Sequence, residues 1–283
     1  MFPARLRGAR RPARNAIVFT ASLVLLAALV PGSPATGAVP PGEFNFVVTC
    51  TFSHRLPDDP IVFPGQPGKA HLHDFFGART TNAFSTYDSL RASPTSCQNP
   101  ADTAGYWFPS LLRAGQPVAP TQINAYYSNK DLALPVRVFP KSLKMVAGDM
   151  HATSAQSTEV TSWSCGPFSS QRSVANLPLC AAGETLRLRV RFPNCWDGVN
   201  LDSADHKSHM AYGVGGACPS SHSVAVTSLG ITIIYPTRGG PGTALSSGGT
   251  YSGHGDFWNT WLQTTERNLV RDCINAARNC GNV

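Results

Sequence analysis

The sequence predicts an all-β protein: one antiparallel β-sandwich or jelly-roll-like domain with a helix near the C-terminus and four disulfides. Three observations support this prediction. From about residue 39 the chain is rich in Gly, Pro, Ser and Thr, and its apolar runs are short. Residues 185–192, TLRLRVRF, alternate strictly between polar and apolar, as a strand with one buried face does. Eight cysteines are available for pairing. Together these features favour sheets packed on sheets.

The N-terminal 38 residues are set apart by their composition. They carry five arginines and no acidic residue, followed by an uncharged apolar run at 16–30 and small residues up to Ala38. This order is typical of a secretory signal peptide. A retained membrane helix is the alternative, but 15 apolar residues fall short of the roughly 20 that span a bilayer. We expect cleavage, secretion to the extracellular space, no membrane contact afterwards, and one mature domain over residues 39–283.

The charge changes when this segment is removed. The formal net charge falls from 23 − 16 = +7 to 18 − 16 = +2, because five arginines leave with the signal peptide. Basic patches with interleaved aromatic residues are also absent from the sequence, so nucleic acid is not an expected partner. We expect the mature chain to be a monomer.

All eight cysteines follow the signal peptide and would meet an oxidising compartment. Short loops cost little entropy to close, which favours pairing between neighbours along the chain, although sequence leaves other pairings open. The favoured pairs are Cys165–Cys180, Cys195–Cys218 and Cys273–Cys280, which leave Cys50–Cys97. We expect folding to depend on these bonds.

The elements follow in order. Apolar runs bounded by turn residues predict strands at 45–52, 123–127, 136–139, 185–192 and 224–235. Apolar residues then recur at steps of three and four from 256 to about 278, which predicts an amphipathic helix beginning near Asn259.

Two histidines in the segment His71-Leu72-His73 form the first candidate for chemistry. In a strand, residues two apart point to the same side, so both rings would project together and supply half of a metal site. Histidines that are merely hydrogen-bonded beneath a loop would explain the same pair.

A second group of titratable residues lies between Cys195 and Tyr212. Within a helical turn these side chains would share one face, whereas in a loop followed by a strand His209 alone would reach a site. A solvated polar loop held by Cys195–Cys218 is the alternative. The group contains Asp197, Asp202, Asp205, His206 and His209.

The third candidate is His254, which has a glycine on each side and Asp256 two residues later. The glycines allow close approach of the backbone, and Asp256 could orient the imidazole or cap the following helix. We therefore predict one concave catalytic site that draws on all three segments. Its members are His71, His73, Asp202, Asp205, His206, His209, His254 and Asp256.

Two kinds of chemistry are compatible with this set. The site could hold a divalent metal ion through His71, His73, His209 and His254, with Asp256 or Asp205 accepting the far N–H of a ligating ring. A metal-free site with one histidine as general base would use the same residues. The sequence does not decide between them.

Several strings of the chain resemble one known family. They include Cys50-Thr-Phe-Ser-His54, His71-Leu-His73, Cys195-Trp-Asp-Gly198, Asp205-His-Lys-Ser-His209 and His254-Gly-Asp-Phe257. Together they resemble the domain of unknown function DUF1996 over about residues 44–280. The resemblance implies a secreted domain of filamentous bacteria and fungi, sometimes found beside cell-wall or carbohydrate-binding modules. It implies no established reaction.

These observations predict a secreted carbohydrate-active enzyme, a polysaccharide hydrolase or lyase, that uses a His/Asp site on a cell-wall or biomass glycan. Aromatic rings stack on sugars, and the predicted substrate-binding rings are Trp107, Tyr126, Tyr127 and Trp258. The alternative is a non-catalytic cell-wall or glycan-binding protein, since fold and export say nothing about turnover.

Overall fold

The computed structural model describes residues 42–166 and 174–283. The predicted signal peptide, residues 1–38, lies outside the described residues and stays a prediction. Within the described part of the chain, no helix combines the length and the apolar character of a membrane span.

Strand is the predominant regular structure among the described residues, which confirms the predicted fold class. In chain order the strands are β1 (Asn45–Thr51), β2 (His54–Leu56), β3 (His73–Gly77), β4 (Gly105–Pro109), β5 (Leu111–Arg113), β6 (Gln116–Val118), β7 (Gln122–Ser128), β8 (Lys144–Gly148), β9 (Thr161–Cys165), β10 (Leu186–Arg191), β11 (Cys195–Trp196), β12 (Met210–Ala211), β13 (Val224–Ala225), β14 (Ser228–Ile234), β15 (Thr243–Leu245), β16 (His254–Trp258) and β17 (Gly281–Asn282). The helices are α1 (Tyr87–Arg91) and α2 (Gln263–Leu269), with a 3₁₀ turn at Ser220–His222 and a π-helical turn at Val270–Ile274.

Two larger sheets form the sandwich. The six-stranded sheet has the order β17-β1-β7-β14-β10-β9, and the five-stranded sheet has the order β2-β3-β4-β16-β8. Neighbouring strands are antiparallel, except that β17 runs parallel to β1. Two three-stranded sheets, β12-β11-β13 and β15-β5-β6, complete the described strands.

One hydrophobic cluster joins the inner faces of the two larger sheets. Strand β10 supplies Leu186, Leu188 and Val190 to it, as the alternating sequence predicts, while β4 supplies Phe108 and β16 supplies Phe257. A second, smaller cluster covers the outer face of the five-stranded sheet. It consists of Ile61, Phe75, Ala78, Leu90, Trp107, Val146 and Trp258. The five-stranded sheet is therefore buried on both faces.

The four predicted disulfides are present. The bonded pairs are Cys50–Cys97, Cys165–Cys180, Cys195–Cys218 and Cys273–Cys280. Within the described part of the chain no cysteine is free.

Three predicted elements need correction. Residues 136–139 form no strand and make only a single bridge, between Arg137 and Val226. The predicted strand 224–235 is divided between β13 and β14, which belong to different sheets. The predicted helix begins at Gln263, not near Asn259, because His254–Trp258 is a central strand hydrogen-bonded to β4 and β8.

Candidate functional site

The outer face of the five-stranded sheet carries a cluster of imidazole and carboxyl groups. His73 is the first residue of β3 and His254 is the first residue of β16. Asp256 lies two residues after His254 in the same strand, so both side chains project from one face. His71 lies two residues before His73, just outside β3. The sheet thus places side chains from two chain segments, about 180 residues apart, side by side.

The turn 57–60 covers this face and is itself held by carboxylates. The Asp58 oxygens accept from the backbone N–H groups of Gly68, at 2.9 Å, and Ala83, at 3.0 Å. Asp59 Oδ1 accepts from Ile61 N at 2.9 Å and Val62 N at 3.0 Å. These bonds fix the turn so that it brings the Asp58 carbonyl and the Asp59 carboxyl to the histidines.

The three imidazole rings are in mutual contact. Ring centroids are 4.2 Å apart for His71 and His73, 4.9 Å for His71 and His254, and 5.7 Å for His73 and His254. His71 Nε2 lies 3.1 Å from His254 Nε2. One ring nitrogen of each histidine lies within 4.8 Å of the other two. His73 and His254 are fully buried, and His71 is partly exposed.

Two backbone carbonyls determine the tautomers of the buried rings. His73 Nδ1 donates to the Asp58 carbonyl at 2.9 Å, and His254 Nδ1 donates to the Ser252 carbonyl at 2.8 Å. A carbonyl can only accept, so each Nδ1 carries the hydrogen, and each Nε2 of a neutral ring carries a lone pair.

Two buried carboxyl groups adjoin His73. Asp59, His73 and Asp256 each offer one atom within 4.8 Å of the other two. Asp256 is fully buried, and neither of its oxygens has a hydrogen-bond donor among the described residues. Asp59 is nearly as buried.

Burial shifts the ionisation of these groups strongly. Burial lowers the pKa of His71 to about 4 and that of His254 to about 3, and it holds the pKa of His73 well below its usual range. Burial also raises the pKa of Asp59, and it raises the pKa of Asp256 well above its usual range. The three rings are therefore neutral at neutral pH and can accept a proton or bind a cation.

The loop 200–209 lies along the exposed edge of β8. Lys144 N donates to Leu201 O at 2.9 Å, and Lys207 Nζ donates to Gly148 O at 2.5 Å. Gly148 is the cross-strand partner of His254, so the loop runs beside the histidine cluster. His206 has a left-handed backbone, with φ 58°, and its Nδ1 donates to Asp202 Oδ1 at 2.8 Å.

The structure brings together only part of the predicted site. His71, His73, His254 and Asp256 converge. Asp202, Asp205 and His206 belong to the neighbouring loop 200–209. His209 does not join the cluster: its ring nitrogens lie 2.8 Å from Ser203 Oγ and 2.7 Å from the Lys144 carbonyl, so both are engaged by the protein.

Asp59 is a site residue that sequence reasoning missed. It stands in Pro57-Asp58-Asp59-Pro60, whose composition is typical of a turn. The signal that could have found it is the pair of adjacent acids in one turn, which stands out in a chain with 14% charged residues.

The predicted sugar-binding rings are mostly in the protein interior. Trp107 and Tyr127 are fully buried and Trp258 is 6% exposed, so these three have no open face for a sugar ring. Tyr126 is half-buried and lines a cavity of about 400 Å³ on the outer face of the six-stranded sheet. That face lies on the opposite side of the sandwich from the histidine cluster.

Comparison with known proteins gives one match. The family model described as "Domain of unknown function (DUF1996)" matches residues 59–261, which include the three histidines, Asp59 and Asp256. No curated protein and no solved structure matches the chain.

Proposed function

We propose that this chain, which belongs to the DUF1996 family, is a secreted enzyme that cleaves a polysaccharide at the cluster of His71, His73 and His254. One observation carries the proposal: two fully buried imidazoles and two buried carboxyl groups lie beside a third imidazole, His71, whose ring is partly exposed. Perturbed titratable groups that gather in one place are characteristic of active sites.

His71 is the member of the cluster that can reach a bound substrate, since the other two rings are fully buried. A neutral imidazole accepts a proton, from attacking water in a hydrolysis or from a sugar carbon in an elimination. His73 and His254 are held by backbone carbonyls and would keep His71 in place.

The carboxyl groups favour histidine chemistry over a two-carboxylate glycosidase. Such an enzyme needs one carboxyl on each side of the bond, one of them a proton donor. Asp59 and Asp256 are buried, so they cannot flank a sugar. Hydrogen bonds from Ser208 N, from the Ser203 hydroxyl and from Lys207 N hold the pKa of Asp205 well below its usual range, so Asp205 stays ionised.

The proposals of secretion and of a glycan substrate are supported by features outside the histidine cluster. Four disulfides suit an oxidising compartment, and the DUF1996 resemblance implies a domain that is sometimes found beside cell-wall or carbohydrate-binding modules. A cell-wall or biomass polysaccharide is therefore the proposed substrate class.

The test incubates the mature protein, residues 39–283, with a panel of soluble and insoluble glycans. New reducing ends report cleavage, and ultraviolet absorbance of an unsaturated sugar separates elimination from hydrolysis. We expect His71→Ala to lose at least about 100-fold of the rate, the contribution of a general base. His222→Ala is the matched control, because the bonds of that surface ring within the described part of the chain go to Ser221 and the Ser208 carbonyl. No product with any glycan, or equal rates for the two variants, would contradict the proposal.

A non-catalytic glycan-binding role is the second candidate, and the Tyr126 cavity favours it. The cavity is lined by the Tyr126 ring, by serine and threonine hydroxyls and by charged side chains that include Arg187, Arg189 and Arg191, so it offers a sugar an aromatic face and hydrogen-bonding groups. Retention of the protein on a glycan without product, together with loss of retention in Tyr126→Ala, would establish the binding role in place of the enzyme.

A further inference from the structure

His73 has a ring nitrogen that the protein leaves unpaired. Its Nδ1 donates to the Asp58 carbonyl, so its Nε2 carries a lone pair, yet no donor among the described residues faces that atom. The ring is fully buried. An unpaired buried acceptor is energetically costly, so a group that accepts the lone pair of this nitrogen would stabilise the site.

His254 repeats the arrangement. Its Nδ1 donates to the Ser252 carbonyl, and its Nε2 lone pair points at His71 Nε2, 3.1 Å away. A hydrogen on His71 Nε2 can be donated to His254 Nε2, but His73 Nε2 then still has no partner among the described residues. A single cation among the three nitrogens satisfies all three lone pairs at once. Backbone carbonyls that hold the far N–H of a ring are also the usual support of a metal-ligating histidine.

The carboxyl groups point to positive charge at the same place. Among the described residues neither oxygen of Asp256 has a donor, although the group is fully buried, and Asp59 and Asp256 each offer an oxygen within 4.8 Å of a ring nitrogen of His73. Buried carboxyls are normally hydrogen-bonded, paired with a charge, or next to a metal ion. Asp256 would accept from a water molecule on such an ion or compensate its charge.

Two other clusters do not offer this chemistry. Cys50, Cys97 and Asp102 lie within the same distance of one another, but the two sulfurs are bonded to each other. The oxygens of Asp197 and Asp205 accept hydrogen bonds from their own loop, including the backbone N–H groups of Val199 and Ser208.

We infer that His71, His73 and His254 bind one divalent transition-metal ion through their Nε2 atoms, with Asp256 and Asp59 beside it. Three imidazoles select Zn²⁺ and its neighbours over Ca²⁺ or Mg²⁺, which prefer oxygen ligands. With metal–nitrogen bonds of about 2.0–2.1 Å, two ligating nitrogens lie no more than about 4.2 Å apart, and the partly exposed His71 has room to adjust to that spacing.

The site differs from the metal set predicted from sequence, because His209 is engaged elsewhere and Asp59 is added. The inference does not require the proposed enzymatic activity, since binding is measured without a glycan; with an ion bound His71 is a ligand, so its role as general base belongs to the metal-free protein. A protein that binds the ion but cleaves no glycan overturns only the proposed function. A protein that cleaves glycan equally well after chelation, and binds no ion, overturns only the metal site.

The experiment uses mature protein purified without a histidine tag, stripped with a chelator and titrated with Zn²⁺ by calorimetry. We expect one ion per chain, with affinity at least about 100-fold weaker in His73→Ala and in His71→Ala. His71→Ala removes a partly exposed ring and keeps the test valid if His73→Ala fails to fold. His222→Ala is the control, and His209→Gln separates this site from the set that includes His209; both should bind like the wild type.

Three results would overturn the inference. The first is no Zn²⁺ binding by folded wild-type protein, and the second is unchanged affinity in His71→Ala. The third is Ca²⁺ bound as tightly as Zn²⁺, which would indicate an oxygen site at the carboxyls. Visible absorbance of the Co²⁺-loaded protein gives an independent check, because imidazole ligation should produce bands that disappear in His71→Ala.

Discussion

Gly148 and His254 face each other across β8 and β16, and their backbones are very close. Gly148 has φ 81°, a left-handed conformation that costs a side-chain-bearing residue energy. A Cβ at this position would lie 2.4 Å from the Gly253 carbonyl oxygen and 2.9 Å from His254 Cα. Both contacts are with backbone, which cannot move aside cheaply. The position of the His254 ring therefore depends on a glycine in the neighbouring strand.

Gly148→Ala should destabilise the protein by about 2–5 kcal/mol, the sum of left-handed strain and overpacking. Chemical denaturation measures it. Gly115→Ala is the matched control, because Gly115 has φ 77° but nothing within 4 Å of its Cβ position. The control should cost only about 1–2 kcal/mol. Equal losses in the two variants would show that the close approach to His254 does not constrain the fold.

The strands of the two sheets differ in how readily their sequences predict them. In β10, the residues Leu186, Leu188 and Val190 alternate with arginines, because the other face of that strand is largely accessible. Strands β3, β4 and β16 are buried at every position, so HDFFG, GYWFP and HGDFW show no alternation. They also contain Gly, Pro, His and Asp, which are uncommon in strands. Sequence reasoning therefore missed the strands that carry the site.

The C-terminal helix shows the opposite error. Trp258, Trp261 and Leu262 continue the helical spacing of the later residues, but Trp258 belongs to β16 and packs in the outer cluster. Trp261 is buried beside β7, where its Nε1 donates to Tyr127 Oη at 3.0 Å. The helix begins only at Gln263, because tertiary packing, which the spacing of apolar residues does not reveal, holds the preceding residues in other conformations.

Helix α2 contains a buried acid that should make stability depend on pH. Burial raises the pKa of Glu266 to about 8. Asn259 Nδ2 and Gln263 Nε2 donate hydrogen bonds to its Oε2, which lowers the pKa and so limits the rise. The folded protein therefore keeps a proton on Glu266 that the unfolded chain releases above about pH 4.3. The free energy of unfolding falls as pH rises from that value to about 8, and it levels off beyond.

Glu266→Gln removes this proton, so its unfolding free energy should fall less between pH 5 and pH 8 than that of the wild type. Burial also raises the pKa of Asp102, to about 7. Asp102 is present in both proteins, so its contribution to the pH dependence of the unfolding free energy cancels in the comparison. Thermal melts at several pH values give the measurement, with Glu43→Gln at an exposed position as the control. Parallel curves for wild type and Glu266→Gln would rule out Glu266 as the source.

At the scale of the whole molecule, the sandwich offers two outer faces with different chemistry. The outer face of the six-stranded sheet carries the Tyr126 cavity. The outer face of the five-stranded sheet is covered by the second hydrophobic cluster, which surrounds the histidines with apolar side chains. Low polarity around the site explains both the neutral imidazoles and the raised pKa of Asp256.

The sequence could identify the histidines but not their arrangement. His71 and His73 are close in the chain, whereas His254 joins them only because β4 brings β3 and β16 into one sheet. His209 stands in an equally dense string, yet its ring bonds to Lys144 O at the sheet edge. Residue type and local spacing gave the same indication for His254 and for His209. Only the order of the strands in the sheet shows that His254 belongs to the site and His209 does not.

The central claim is that His71, His73 and His254 form one metal-binding centre. Anomalous diffraction from crystals grown with Zn²⁺ tests this claim most directly. The account predicts a zinc peak about 2.0–2.1 Å from Nε2 of each of the three histidines, with the Asp256 carboxyl next to it. A crystal with no zinc at the cluster, or with its zinc beside His209 on the loop 200–209, would contradict it.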